Sequence, residues 1–448
     1  MMAQEARIDV KTQLQKAAGD LSAPELYDLA RIAESGPWFG TPAIRSAETA
    51  RPADFEWPLV SEYAYLGKYG KGTAAVHLAN GHDRVVNPMI FADGFNYGPS
   101  DLDALWQWFN QPYSDAGERL FDQLLAAGID IVLLGFDARH DYIQVNAGVA
   151  RACIGKVIAE RQGTAPLITG GVSMGGQITR YALAAMEQAE EDHQTETYLS
   201  WDSPHNGAWI PLILQQMAYF FEFFEALTPG KPSKASLIRS PAAQQLLWAW
   251  VEDARYSGPV ATASPLRAQY VQELADLGGF PQRPVLLGVS NGRGDGQGPT
   301  LPAGEIAFDK KFLGGLVGSA TARYQPDFGE QRPVGGMHLG LTMRSSTTTA
   351  IAPFDSAPGG MLDSFGQVAT TLGIDMEEAK RWSCFVPAVS AIALDFDPIS
   401  WNVELGKDLR EVTAEQTALT EFCCNATNTE HSAVTPTLAE WVLRKIAK

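Results

Sequence analysis

Cysteine is scarce, four in 448 residues, which excludes a disulfide-framework protein. No C-x-x-C occurs, and the Cys and His spacings offer no zinc site. Cys153 falls in a helical pattern as a small core residue. Cys384, Cys423 and Cys424 fall late in the chain, where Cys384 pairs with one of the other two only if the compartment is oxidising. There is no apolar run of about 18 residues free of charge, so no segment is expected to span a bilayer. Positive charge is also short: 34 Lys and Arg against 52 Asp and Glu give −18, which argues against a nucleic-acid partner and against anionic membranes. The opening Met1–Val10 lacks the apolar stretch of a secretory leader; a cytoplasmic protein and one whose leader was removed both stay open. Oligomeric state is not legible, and no internal repeat is visible. What remains, 45% hydrophobic and 19% charged residues, is the composition of a globular protein with a large core.

Residues 1–55 read as an extension, with a capping-box helix start at Ser22-Ala-Pro-Glu25 running to about Ser35. A Pro-rich linker, Pro52 to Pro58, follows, and the main domain occupies 56–448. There, strand signals at Gly72–Ala79, Val85–Ala92, Ile129–Gly135, Glu196–Trp201 and Pro284–Ser290 alternate with helix signals at Ala116–Ala127 and Gly148–Arg161. Cys384–Leu394 is predicted as the last strand. Such alternation implies an α/β fold, a mostly parallel sheet covered by helices on both faces. Two insertions break the rhythm: a helical, aromatic one over 209–275 and a β-rich or loop-rich one over 303–360.

The densest chemical signal is Gly171-Val-Ser-Met-Gly175, a G-x-S-x-G that follows the apolar run from Pro166 and opens a helical pattern at Gln177. The pentapeptide alone arises by chance in roughly one chain in four of this length and glycine content. Its setting carries the weight. A serine hydroxyl is a poor nucleophile and needs an exposed, strained perch with a base on one side and backbone donors on the other.

Four stretches resemble the α/β-hydrolases, and within them the lipase- and esterase-like bacterial serine hydrolases. They are the elbow Gly170–Leu183, Trp201-Asp-Ser-Pro-His-Asn-Gly-Ala208, Asn87-Pro-Met-Ile-Phe-Ala-Asp-Gly-Phe95, and Asn428-Thr-Glu-His-Ser-Ala-Val-Thr-Pro436 before a final helix. The likeness covers roughly residues 60–445. Segments 240–247 and 385–391 are further similar to a group of large bacterial members. The resemblance implies a helical cap and a serine–acid–histidine order along the chain.

On that order Ser173 is the expected nucleophile and His431 the expected base, with His338 and His205 as rivals. Asp295, in the flexible loop Asn291–Gly296 after a strand, is the expected acid. Asp202 is its main rival, since some members recruit the acid one strand earlier; Asp395 and Asp397 are weaker alternatives. The oxyanion donors are expected to be the Met174 and Phe95 amides. Where many relatives carry His-Gly, this chain has Asp93-Gly94.

The aromatic run Met217–Glu225 reads either as a helix packed on several sides or as a lid whose Phe220, Phe221 and Phe224 face an acyl group. The polar cluster Asp137-Ala-Arg-His-Asp141 reads as loop capping rather than a metal site. The expected activity is cleavage of carboxylic esters, small or lipid-like, through an acyl-enzyme and without metal or cofactor. A thioesterase or amidase with the same triad, an acyltransferase, and a non-catalytic binding protein on the same fold remain alternatives.

Overall fold

The computed structural model describes residues 50–225, 233–258, 260–312, 318–325, 332–339, 342–348 and 351–447. The extension expected over 1–55, apart from residues 50–55, lies outside them. A central eight-stranded sheet has the order β1-β2-β4-β3-β5-β6-β8-β15, with near-continuous apolar runs in its middle strands. Its members are β1 (Phe55–Tyr65), β2 (Lys68–His77), β3 (Pro88–Ala92), β4 (Asp130–Phe136), β5 (Leu167–Val172), β6 (Thr195–Trp201), β8 (Val285–Arg293) and β15 (Glu421–Asn425). Only β2 runs against its neighbours; the steps from β4 through β15 are all parallel. This is the α/β-hydrolase fold.

Strand β4 shows why the sheet must be covered on both faces. Val132, Leu134 and Phe136 belong to one buried cluster, and Ile131 and Leu133 to the other. Helices Ile143–Glu160 and Met174–Gln188 supply the first cover. Helices Leu102–Phe109, Leu120–Ala126 and Pro436–Ile446 supply the second. The last helix is started by Thr435, whose side chain accepts the Leu438 N–H, and by Pro436 in its first turn.

Two expectations change here. The Pro52–Pro58 linker already belongs to β1 from Phe55 onward; Pro58 is tolerated because β1 is an edge strand with half of its ladder unpartnered. Cys384–Leu394 is not the last strand of the central sheet. Its first part, β14 (Ser383–Pro387), pairs antiparallel with β13 (Gly359–Leu362). Beyond Pro387 the chain turns helical over Ala388–Ala391, and β15 closes the central sheet instead. All four cysteines are free, Cys153 and Cys384 fully buried.

A second, five-stranded sheet holds β7 (Tyr256–Ser257), β9 (Ile306–Phe312), β10 (Gly318–Arg323), β11 (Arg332–Leu339) and β12 (Thr342–Thr348). β9 to β12 form an antiparallel meander. The aromatic helix Leu212–Glu225 packs on this sheet, against β10, β11 and β12. No helix among the described residues is long and apolar enough to cross a membrane.

Candidate active site

The fold brings three loops at the carboxyl ends of the central strands together around Ser173. Val172 ends β5, and Ser173 follows at φ 53° and ψ −124° before the helix begins at Met174. A non-glycine residue rarely holds such a backbone, and it persists only where the surroundings enforce it. Here the Ser173 N–H donates to the Trp201 carbonyl at 2.9 Å, tying the elbow to the end of β6.

One residue past β6, Asp202 is likewise held at positive φ, 47°. Its side chain is fully buried and used on both oxygens. Oδ1 accepts the Asn291 N–H at 2.9 Å, and Oδ2 accepts Nδ1–H of His431 at 2.7 Å. His431 is held from several sides. Its N–H donates to the Met361 carbonyl on β13, Trp108 Nε1 donates to the Ser432 carbonyl at 2.8 Å, and the Phe385 ring meets its imidazole edge-on at 4.9 Å. With Nδ1 committed to Asp202, Nε2 is the nitrogen left to act as a base. Burial raises the Glu430 carboxyl next door; His431 opposes the rise and Asp363 adds to it.

Ser173 and His431 line one cavity of about 280 Å³ with Phe95, Trp108, Leu362 and Phe385 among its walls. Loop 93–95 presses close to the nucleophile. A Cβ at Gly94 would stand 3.1 Å from Ser173 Cβ and 3.3 Å from the Val172 carbonyl oxygen, so only glycine fits without displacement. The Gly94 N–H is already taken by Asp93 Oδ1 at 2.7 Å. Met174 opens the elbow helix, so its N–H has no intrahelical acceptor.

Asp295 stands elsewhere; the carboxylate bonded to His431 is that of Asp202. β8 continues to Arg293, paired with Asn425 of β15, so Asp295 emerges beyond the sheet. There Arg293 grips its carboxylate through Nε at 2.9 Å and through Nη2. That bond, opposed only by slight burial, holds Asp295 down at about 2. Asp295 lines a different cavity, with Arg410 and Cys424. His338 sits on β11 bonded to Ser319 in the second sheet. His205 is bonded to Ser200 Oγ, and burial, aided by Arg180, pushes it well below its ordinary value. The Asp395 amide donates to the Gln416 carbonyl, and Asp397 caps its own turn through Ile399 and Ser400.

Phe220 and Phe221 are 6% and 1% exposed, packed face to edge in the main core, and do not line the Ser173 cavity. Both lie away from that cavity, on a helix that buries a face against the second sheet. The side chain of Phe224 lies outside the described residues. Sequence reasoning missed the apolar wall formed by Leu362 at the end of β13 and Phe385 in the middle of β14, and the Asn291 brace on Asp202. Only the position of Asp202, directly after the strand next to the elbow strand, offered a signal.

No family model matches the sequence, and no curated protein matches it. Among solved structures the chain is similar to Est1E from Butyrivibrio proteoclasticus, at 12% identity over 33% of this chain and 51% of that one, with a TM-score of 0.22. It is also similar to the mature lipase BlEst2 of Bacillus licheniformis (13% identity, 49% and 72% coverage, TM-score 0.28). A third is the hyperthermophilic esterase of the archaeon Pyrobaculum calidifontis (11% identity, 62% and 82% coverage, TM-score 0.27). The chain spans about half the length of Est1E. The fold assignment rests on the strand order and the elbow, not on these likenesses.

Proposed function

We propose that the protein hydrolyses carboxylic esters through an acyl-enzyme on Ser173. The observation that carries the reading is His431, bonded at 2.7 Å to the buried Asp202 and lining the same cavity as the strained Ser173. In this reading His431 Nε2 takes the Ser173 proton as Oγ attacks the ester carbonyl, and returns it to the departing alcohol. Water then repeats the sequence on the acyl-enzyme. Asp202 keeps Nδ1 protonated and stabilises the imidazolium that forms. The Met174 and Phe95 amides receive the oxyanion, each worth about 3 kcal/mol of barrier.

The size of the cavity supports a compact acyl group. At about 280 Å³ it falls just below the usual range of small-molecule sites, roughly 300–1,000 Å³. The test is a panel of p-nitrophenyl esters graded by acyl length, with a fluorophosphonate probe run in parallel. Folded wild type should label at Ser173 and turn over short acyl esters best, and Ser173→Ala should do neither. A folded wild type that neither labels nor turns over any ester would sink the proposal.

A further inference from the structure

The segment Asp137-Ala-Arg-His-Asp141, read from sequence as loop capping, follows β4 and reaches the Ser173 cavity. Arg139 Nη1 donates to Asp93 Oδ2 at 3.1 Å, and both residues line that cavity with side chains only 15% and 11% exposed. The other Asp93 oxygen holds the Gly94 N–H at 2.7 Å. The same segment fastens the far end of the loop. The Arg139 N–H donates to the Gly98 carbonyl at 3.2 Å, the Gly98 N–H donates to His140 Nδ1 at 3.3 Å, and His140 stacks flat on Tyr97 at 4.3 Å.

A largely buried ion pair is a poor way to gain stability, since desolvation offsets most of the attraction. Arg139 Nε is buried with no partner among the described residues, a further cost. The pair is better explained by what it holds. Asp93 occupies the Gly94 amide, so along Asp93-Gly94-Phe95 the next donor available to a substrate oxygen is the Phe95 amide. Arg139 fixes the carboxylate that does this, and the Gly98 and His140 contacts fix the loop's other end.

We propose that Arg139 and Asp93 are positioning residues that lock loop 93–98 so that the Phe95 amide points at the developing oxyanion. The inference rests on the ester-hydrolase reading above. A misplacement of about 1 Å at such a donor can cost a hundredfold in rate. Arg139→Ala and Asp93→Asn should therefore each lower kcat for p-nitrophenyl acetate by about ten- to a hundredfold, with KM within about twofold. Arg139→Lys should recover part of the loss. The double variant should be no worse than the poorer single one.

The decisive readout is inhibition by an aryl trifluoromethyl ketone, whose serine adduct carries the oxyanion. Its inhibition constant should rise by the same factor as kcat falls, which a general loosening of the fold would not produce. If Arg139→Ala does not fold, Arg139→Met, which keeps the aliphatic stem, replaces it. Variants that keep full kcat and full ketone affinity overturn this inference alone, provided wild type still labels with the fluorophosphonate. So does a loss of kcat at unchanged ketone affinity. Wild type that resists the probe overturns the ester-hydrolase reading and this inference with it.

Discussion

Asp202 and His431 meet at 2.7 Å although 229 positions separate them in the chain. The contact exists because β6 lies beside the elbow strand β5, and because the loop carrying His431 is drawn over β6 by β13 and Asn291. The Met361 N–H donates to the Thr429 carbonyl, the His431 N–H donates to the Met361 carbonyl, and Asn291 Nδ2 donates to the Ala433 carbonyl.

The first prediction follows from that pair. Asp202→Asn cannot hold Nδ1 protonated in the same way and should lower kcat for a short p-nitrophenyl ester by about 10³- to 10⁴-fold, with the fold intact by circular dichroism. Asp295→Asn should leave kcat within about twofold, because among the described residues its carboxylate is hydrogen-bonded by Arg293 and the Gln297 N–H, away from His431. The reverse pattern would restore Asp295 as the acid.

Gly360 supplies a second test of the same contact. A Cβ there would lie 2.0 Å from Asp202 Oδ2 and 3.2 Å from His431 Cα, too close for either to stay in place. Gly360→Ala should cut kcat at least about tenfold while costing about 1–3 kcal/mol of stability, the usual range for overpacking. Urea titration beside initial-rate kinetics separates the two. An unchanged kcat would mean that the acid and the base have room to spare.

The six inner strands of the central sheet were legible because burial on both faces favours an apolar run, as in Ile131–Leu134, whereas the partly exposed edge strands β1 and β15 were not. Ser173 was legible for a similar reason, its glycines and flanking patterns being local. The acid was not. Asp202 and Asp295 both follow apolar strands, and what separates them is Arg293, two residues before Asp295, and the extension of β8 to that arginine. The helix Leu212–Glu225 was ambiguous in the same sense. Aromatics around a helix record that several sides are buried, but not what buries them, and here it is a second sheet over 306–348 with weak strand signals.

The placement of this helix has a measurable consequence. Phe221 is fully buried in the main core, away from the Ser173 cavity. Phe221→Ala should cost about 3–5 kcal/mol of unfolding free energy and leave KM for short acyl esters within about twofold at temperatures where the variant stays folded. A large shift in KM or in acyl-length preference, without comparable loss of stability, would return this helix to the substrate.

Asp355 predicts how stability depends on pH. It is 1% exposed, accepts from Trp209 Nε1 at 2.7 Å and from the Gln325 N–H at 2.6 Å, and follows Phe354, whose ring stacks on Trp209. Burial raises its carboxyl to about 6, and these two hydrogen bonds only partly offset the rise. The folded state therefore binds this proton more tightly than the unfolded chain does. Stability from this group is full below the unfolded value near 4, falls as pH rises from about 4 to about 6, and is level above that. The loss is on the order of 2–3 kcal/mol for a shift of this size. Asp355→Asn removes the titration and keeps an oxygen for Trp209, so its thermal midpoint relative to wild type should rise between pH 4.5 and pH 7. Scanning fluorimetry across that interval reads the difference directly, with other carboxylates cancelling between the two proteins. A gap that stays constant or narrows as pH rises would mean that Asp355 is ionised throughout, and that the Trp209 and Gln325 donors outweigh the cost of its burial.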